Sequence, residues 1–357
     1  MSDSVSKFKA LYFKKDLIER NVVRVENYFY FLEEKEEFRE HPFYEFVKNI
    51  KEKGESYMGE LIRKGELLFN GEESFYIYEQ EFRIYDEKFV RKGFLCALEL
   101  KSGKNIFPHE DVFDWAVEVH KNFYEKSGIN FEPVLLIYKG KPVGDFIEKE
   151  ELIFEVKDEF NEFHRIRKCV IDDNFFDEIE KSEFVIADGH HRFKAMLKAN
   201  FDKRLVLLFS VYDDNLKILP THRGVNLKEE KVKRLIDKSE KLDVIDIEEN
   251  IKKLKNPQII MFHNNNFYFI TGDGEEFSVS YLHKEIITEE SEPPGFYRDY
   301  RELLNDVKKG KFNTAFFLPP LSPLNVYEYA INKLKLPPKS TDFYPKPLCG
   351  FIGLKLF

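Results

Sequence analysis

The stretch Asp188-Gly189-His190-His191-Arg192 gathers the side chains of this sequence best able to do chemistry together. It follows the apolar run Phe184-Val185-Ile186-Ala187 and opens Phe193-Lys194-Ala195-Met196-Leu197. That pattern predicts a short buried strand, a glycine turn and the first turn of a helix. Two histidines and an arginine would then stand where unpaired backbone N–H groups already favour an anion. The chemistry implied is phosphate binding, with Asp188 beside it as an acid/base or metal partner. The plainer alternative makes Asp188 an ordinary helix N-cap and the histidines partly buried bystanders. Clustering at one strand-to-helix turn favours the phosphate site.

Other polar clusters are more ambiguous by themselves. Phe107-Pro108-His109-Glu110 lies between a strand-like run and a helical segment. A loop-to-helix junction can hold a general base exposed, but Glu110, Asp111 and Asp114 equally suit the first turn of a helix electrostatically. Taken alone, the capping role is the better reading. Thr221-His222-Arg223 follows another strand and has anion-binding character, since arginine offers a rigid fork to a carboxylate or phosphate; a surface turn is the alternative. Lys339-Ser340-Thr341 and Lys346 belong to a rigid Pro-rich loop that either binds an anion or covers a sheet edge. There is no GxxxxGK[ST] loop, no kinase loop and no GxGxxG; Gly272-Asp273-Gly274 reads as a hairpin turn. His109, Glu110, Asp188, His190, His191 and His222 might converge on a metal. Adjacent histidines on a helix diverge, however, and no local spacing supports zinc. Magnesium held mainly by a nucleotide's phosphates is the easier reading.

The elements that must position these groups follow from composition and patterning. The chain has 357 residues, 43% of them hydrophobic, including 37 Phe and 18 Tyr, so a large aromatic core is expected. A formal charge of −9 argues against generic binding to duplex nucleic acid. Cys96, Cys169 and Cys349 lack CxxC or CxxH spacing, and no apolar run approaches membrane-spanning length. With no signal-peptide core at the start, a soluble cytoplasmic protein is expected. Residues 33–64 read as two charged helices broken near Gly54. Strands are expected at Phe75–Tyr78, Gly93–Leu100, Val134–Tyr138, Ile153–Val156, His164–Ile171, Leu205–Val211, Ile259–Phe262, Phe267–Ile270 and Phe351–Leu356. Asp114 to Tyr124 has helical spacing, with Trp115, Val119 and Phe123 on one face. Strands and helices mix without steady βαβ alternation, so the class is α+β, with a candidate boundary at 228 that separates 1–228 from 229–357.

In this order the motifs resemble the bacterial and archaeal family known as domain of unknown function 1015, of ParB/Spo0J-like character. The matching segments are Tyr76-Ile77-Tyr78, Gly93-Phe94, Pro108-His109-Glu110, Ile186 to Phe193, Ile218 to Arg223, and Pro338 to Thr341 with Phe343 to Lys346. The sequence departs from the pattern at Val112, where a Thr is usual. The His109-Glu110 and Gly189-x-x-Arg192 elements also look like the wider ParB/sulfiredoxin superfamily, which includes free-serine kinases. The resemblance implies a ParB/sulfiredoxin-like nucleotide-binding core with a mixed sheet and a C-terminal α/β extension. It implies Glu110 as base toward a serine hydroxyl, and Asp188, His190, His191 and Arg192 as the phosphate element.

The expected activity is therefore that of a small-molecule kinase, transferring a phosphoryl group from ATP (or ADP) to free L-serine with Mg²⁺. In this reading Glu110, His109 and Asp188 are catalytic, and Gly189, His190, His191 and Arg192 bind the nucleotide. Thr221, His222, Arg223, Lys339, Ser340, Thr341 and Lys346 bind substrate, and Asp188 is a metal ligand. The expected partners are small molecules, with no nucleic acid and no membrane; the oligomeric state is left open. The rival expectation is a nucleotide-binding switch with slow hydrolysis. Metal-dependent hydrolysis is the least favoured alternative.

Overall fold

The structure is a computed structural model, which describes residues 4–357 except 86, 104, 245, 273–276 and 288–291. Asp273 and Gly274 of the expected hairpin turn thus lie outside the described residues. The chain divides into two compact units, one of residues 1–217, 326–334 and 345–357, the other of residues 218–325 and 335–344. The sequence boundary expected at 228 falls within the second of these.

The first unit is built on a nine-stranded mixed sheet. Its strands are β1 (Val5–Ser6), β2 (Phe75–Ile84), β3 (Glu87–Glu99), β4 (Ile106–Pro108), β5 (Val134–Tyr138), β6 (Ile147–Lys157), β7 (Phe163–Ile171), β8 (Phe184–Asp188) and β9 (Lys203–Ser210). They lie in the order β6-β7-β2-β3-β9-β5-β8-β4, with β1 pairing alongside β3. The middle strands are rich in apolar residues because both sheet faces are covered: all five residues of β5 are buried, and all of β9 after Lys203. The edge strand β6 instead carries Glu148, Lys149, Glu150 and Glu151, which blunts pairing with another chain. Around the sheet lie α1 (Val25–Leu32), α2 (Pro42–Lys53), α3 (Glu55–Arg63), α4 (Asp114–Ser127) and α5 (His190–Lys198). Gly54 separates α2 from α3 with φ at 59°, a conformation that favours glycine.

One pairing decides where chemistry can occur. β4 and β8 run parallel, with Ile186 opposite Pro108. His109-Glu110, which follow β4, and the Asp188-Gly189 turn at the end of β8 therefore lie at the same end of the sheet.

Two expectations need correction. Helix α4 buries Ala116, Val117, His120, Phe123 and Tyr124, while Trp115 lies outside that face and is 56% exposed. The final strand shrinks to Leu354–Lys355, paired with Ile129–Asn130.

The second unit holds a six-stranded sheet of β10 (His222–Val225), β11 (Glu240–Leu242), β12 (Gln258–His263), β13 (Asn266–Thr271), β14 (Gly295–Tyr297) and β15 (Thr314–Phe317). Their order is β11-β13-β12-β15-β10-β14. Separate apolar clusters pack around Met261 with Phe316 and around Phe262 with Phe317, neighbours that alternate along their strands.

Candidate active site

The Asp188 turn forms as the sequence predicts. Gly189 has φ at 98°, and a Cβ there would stand 2.7 Å from the Arg192 guanidinium. Glycine is thus required both for the turn and for the close approach of arginine. Helix α5 starts at His190, and its N-cap residue, Gly189, has no side chain with which to cap it.

Arg192 folds back beneath this turn. Its Nη2 pairs with Asp188 Oδ2, and its Nη1 donates to the Pro133 carbonyl at 2.9 Å. Lys346 Nζ lies 2.7 Å from the other carboxylate oxygen, Oδ1. Both cations are buried, Arg192 at 6% and Lys346 at 8% exposure. Burial alone would raise the Asp188 pKa, but the charges of Lys346 and Arg192 outweigh it and hold the carboxyl well below the usual range. A metal ion at Asp188 would have to share oxygens already taken by two cations. The residues do not fit a magnesium ligand set there, contrary to the expectation for Asp188. Arg192, likewise expected to contact phosphate, spends donor groups on Asp188 and on the Pro133 carbonyl.

Lys346 is fixed by a buried scaffold. Arg91 donates to Gln80 Oε1 from Nε at 2.9 Å and Nη2 at 2.7 Å, and also to the Pro345 carbonyl. Gln80 Nε2 in turn donates to the Lys346 carbonyl at 3.2 Å. The Leu348 N–H donates to the Tyr78 hydroxyl at 2.9 Å, and the Val25 N–H to the Pro347 carbonyl at 3.0 Å.

The two histidines act as acceptors. His190 Nε2 receives the backbone N–H of His109 at 3.4 Å, and the two rings meet edge to face at 4.6 Å. His191 Nε2 receives the N–H of Phe113 at 3.0 Å. Each nitrogen must be unprotonated to do this, so the histidines clamp both ends of the His109–Phe113 loop. Glu110 lies within that loop, with a carboxylate oxygen 3.8 Å from His109 Nε2 and a side chain 23% exposed. An ion pair between Lys194 and Asp114 at 3.1 Å further ties α5 to α4.

Behind the turn, Arg204 Nη2 donates to the Glu132 carbonyl at 3.0 Å and its Nη1 to the Arg192 carbonyl at 3.3 Å. Burial raises the Glu132 pKa, and Tyr124 donates to that carboxyl.

In the second unit Arg223 and His222 are also committed. Arg223 donates to the Thr221 carbonyl, to the Lys339 carbonyl at 2.9 Å and to His283 Nε2 at 3.2 Å. His222 Nδ1 accepts from the Leu318 N–H at 3.2 Å, while the Ser340 hydroxyl donates to the Pro337 carbonyl. Thr221, His222, Arg223, Lys339 and Ser340 are thus brought together as a strap, and Thr341 follows directly in the chain.

Sequence reading missed Tyr78, Gln80, Arg91 and the buried group Arg24, Asp158, Glu162 and His164. Among the described residues, Asp158, Glu162 and His164 have ligand-type atoms within 4.8 Å of one another. Arg24 already neutralises both carboxylates, at 2.6 Å and 2.5 Å. The three cysteines are buried free thiols, and no helix among the described residues is long and apolar enough to cross a membrane.

Comparison with known proteins settles the family. Residues 19–292 match the family described as protein of unknown function (DUF1015). The chain belongs to that family. An ATP-dependent L-serine kinase of Staphylothermus marinus is 26% identical over 165 residues, which cover 44% of this chain and 66% of that relative, just under two thirds of its length. Among solved structures, a mutant free serine kinase in complex with ADP is 19% identical with a TM-score of 0.42, over 73% of this chain and 92% of that one. A conserved hypothetical protein from Pyrococcus furiosus is 17% identical with a TM-score of 0.40, over 73% of this chain and 95% of that one.

Proposed function

We propose that the chain is a small-molecule kinase that transfers a phosphoryl group from ATP or ADP to the hydroxyl of free L-serine, on a ParB/sulfiredoxin-like core. The observation that carries this reading is the double histidine clamp. It holds a loop bearing two carboxylates, Glu110 and Asp111, against the N-terminus of a helix, with Glu110 the one beside His109. Phosphoryl transfer needs phosphate charge stabilised, an acceptor hydroxyl aimed in line and its proton removed. The backbone N–H groups at the start of α5, at the positive end of the helix dipole, answer the first need. Glu110 answers the last, with His109 beside it. The name of the Staphylothermus relative supports serine as acceptor.

In the step itself, the serine oxygen forms a new P–O bond as the bond from phosphorus to the nucleotide's bridging oxygen breaks. The hydroxyl proton passes to Glu110 Oε. Asp188 takes no proton: it fixes the turn and holds Lys346 and Arg192 in place. The buried reduced cysteines suit a cytoplasmic location.

Purified protein incubated with ATP, with and without L-serine, tests this reading. Serine-dependent formation of ADP and O-phosphoserine is expected. Tight nucleotide binding with no serine-dependent turnover would replace the kinase with a nucleotide-binding switch.

A further inference from the structure

Beside the clamp lies an aromatic surface that neither the core nor the proposed chemistry uses. Phe113 and Trp115 are 62% and 56% exposed, at the solvent side of the loop that His191 holds. The Phe113 ring lies 6.0 Å from the His191 ring at an interplanar angle of 17°, and 6.5 Å from the Trp115 ring at 29°. Phe29 braces Trp115 from the side, ring to ring at 5.4 Å and 68°. Three rings in near-parallel planes thus follow one another outward from the second residue of α5. A contiguous exposed aromatic patch of this kind marks a contact surface, because those rings would otherwise be worth burying.

We propose that Phe113 and Trp115 form the platform on which the nucleotide's purine stacks, with His191 as the third ring, nearest the phosphates. The inference rests on the kinase reading only in taking the ligand to be a nucleotide. Its own support is the layout of charge and apolar surface. The N-terminus of α5 is an electropositive end suited to phosphate, and the rings are a flat, uncharged end suited to a base. A polyanion without a flat ring would use only the first end. An apolar peptide would use only the second. A nucleoside polyphosphate uses both, and lying this way it points its phosphates toward the His190 and Glu110 side of the loop.

Trp115 is the one tryptophan of the sequence, so its fluorescence reports on the platform alone. Titrating the full chain with ADP should quench that signal saturably, whereas pyrophosphate should bind without quenching and compete with ADP. Phe113→Ala should weaken ADP binding by calorimetry roughly tenfold or more while leaving pyrophosphate affinity unchanged. Phe113→Tyr should restore it. Trp115→Phe keeps an aromatic face and silences the signal, which assigns the quench. Two results would overturn the platform: ADP affinity equal in wild type and Phe113→Ala, or self-association of the wild type by sedimentation that Phe113→Ala abolishes. If calorimetry detects no ADP binding to the wild type at all, the nucleotide reading itself falls, an outcome distinct from either of these.

Discussion

Lys346 follows Asp188 by 158 positions in the chain, yet its ammonium lies 2.7 Å from that carboxylate. Arg192 holds the other oxygen, so a single half-buried anion joins a helix start to a C-terminal segment. An arrangement of this kind is weak as a source of net stability but strict in geometry, because removing one partner leaves a buried charge exposed to its neighbours' fields. The Arg91–Gln80 scaffold adds to that strictness by fixing the backbone on either side of the Lys346 side chain.

Lys346→Met should therefore destabilise the protein by roughly 3 kcal/mol in denaturant unfolding at neutral pH. The pH dependence has a defined sign. Asp188 is held below its ordinary value in the folded state, so its contribution is complete above the unfolded pKa, about 4, and is lost as pH falls below it. Without Lys346 the folded pKa rises, the gap between the two states narrows and the stabilisation to be lost on acidification shrinks. A wild-type curve that stays flat under acid would contradict the pairing.

Glu110→Gln keeps the shape of the side chain and removes its basicity. Phosphoryl transfer should fall by about two to four orders of magnitude, with nucleotide affinity retained. A carboxylate that merely caps the loop would give instead a small change in melting temperature and nearly unaltered turnover. Single-turnover kinetics beside a binding isotherm separates the two.

The strands of the first unit were legible wherever long apolar runs coincide with burial on both sheet faces, as in Val134–Tyr138 and Phe184–Asp188. The glycine turn at 189 and the helix break at 54 were legible because backbone conformations with positive φ favour glycine. Long-range charge pairing was not. Nothing local to Lys346 indicates Asp188, and Gln80 and Arg91 look in sequence like solvent-facing strand positions, yet both are 0% exposed. Their polarity is compensated by carbonyls some 250 positions away, a distance over which periodicity carries no information. Helical spacing puts Trp115, Val119 and Phe123 on one face of their helix. The face actually buried is the one centred on Val117, His120 and Tyr124, which includes a histidine that hydropathy discounts.

The strap in the second unit should show its own acid sensitivity. Burial, and then the nearby Arg223 charge, push the His222 pKa down to about 3, and the same causes push His283 down to about 4. Unfolded histidines titrate near 6.5, so between about pH 6.5 and these values the unfolded state binds more protons than the folded one. Stability should fall on acidification through that window, with a slope of roughly 1.4 kcal/mol per pH unit for each histidine once it is fully engaged. His222→Asn should flatten the dependence, and unfolding curves across that pH range provide the check.

The histidine clamp makes a prediction that separates positioning from phosphate binding. If His190 bound phosphate as a cation, its replacement would mainly weaken nucleotide affinity. As an acceptor for the His109 N–H it should act through Glu110 instead, lowering kcat while leaving the nucleotide KM close to wild type. His190→Ala removes the acceptor and frees the loop. His190→Gln supplies an amide oxygen at similar reach and should recover a substantial part of the lost turnover, though it cannot carry a charge. In the Glu110→Gln background the His190→Ala change should cost little more, because the group that the clamp positions is already inactive. A rise in nucleotide KM without loss of kcat, or additive losses in the double variant, would instead assign His190 to the phosphate and leave the loop to hold itself.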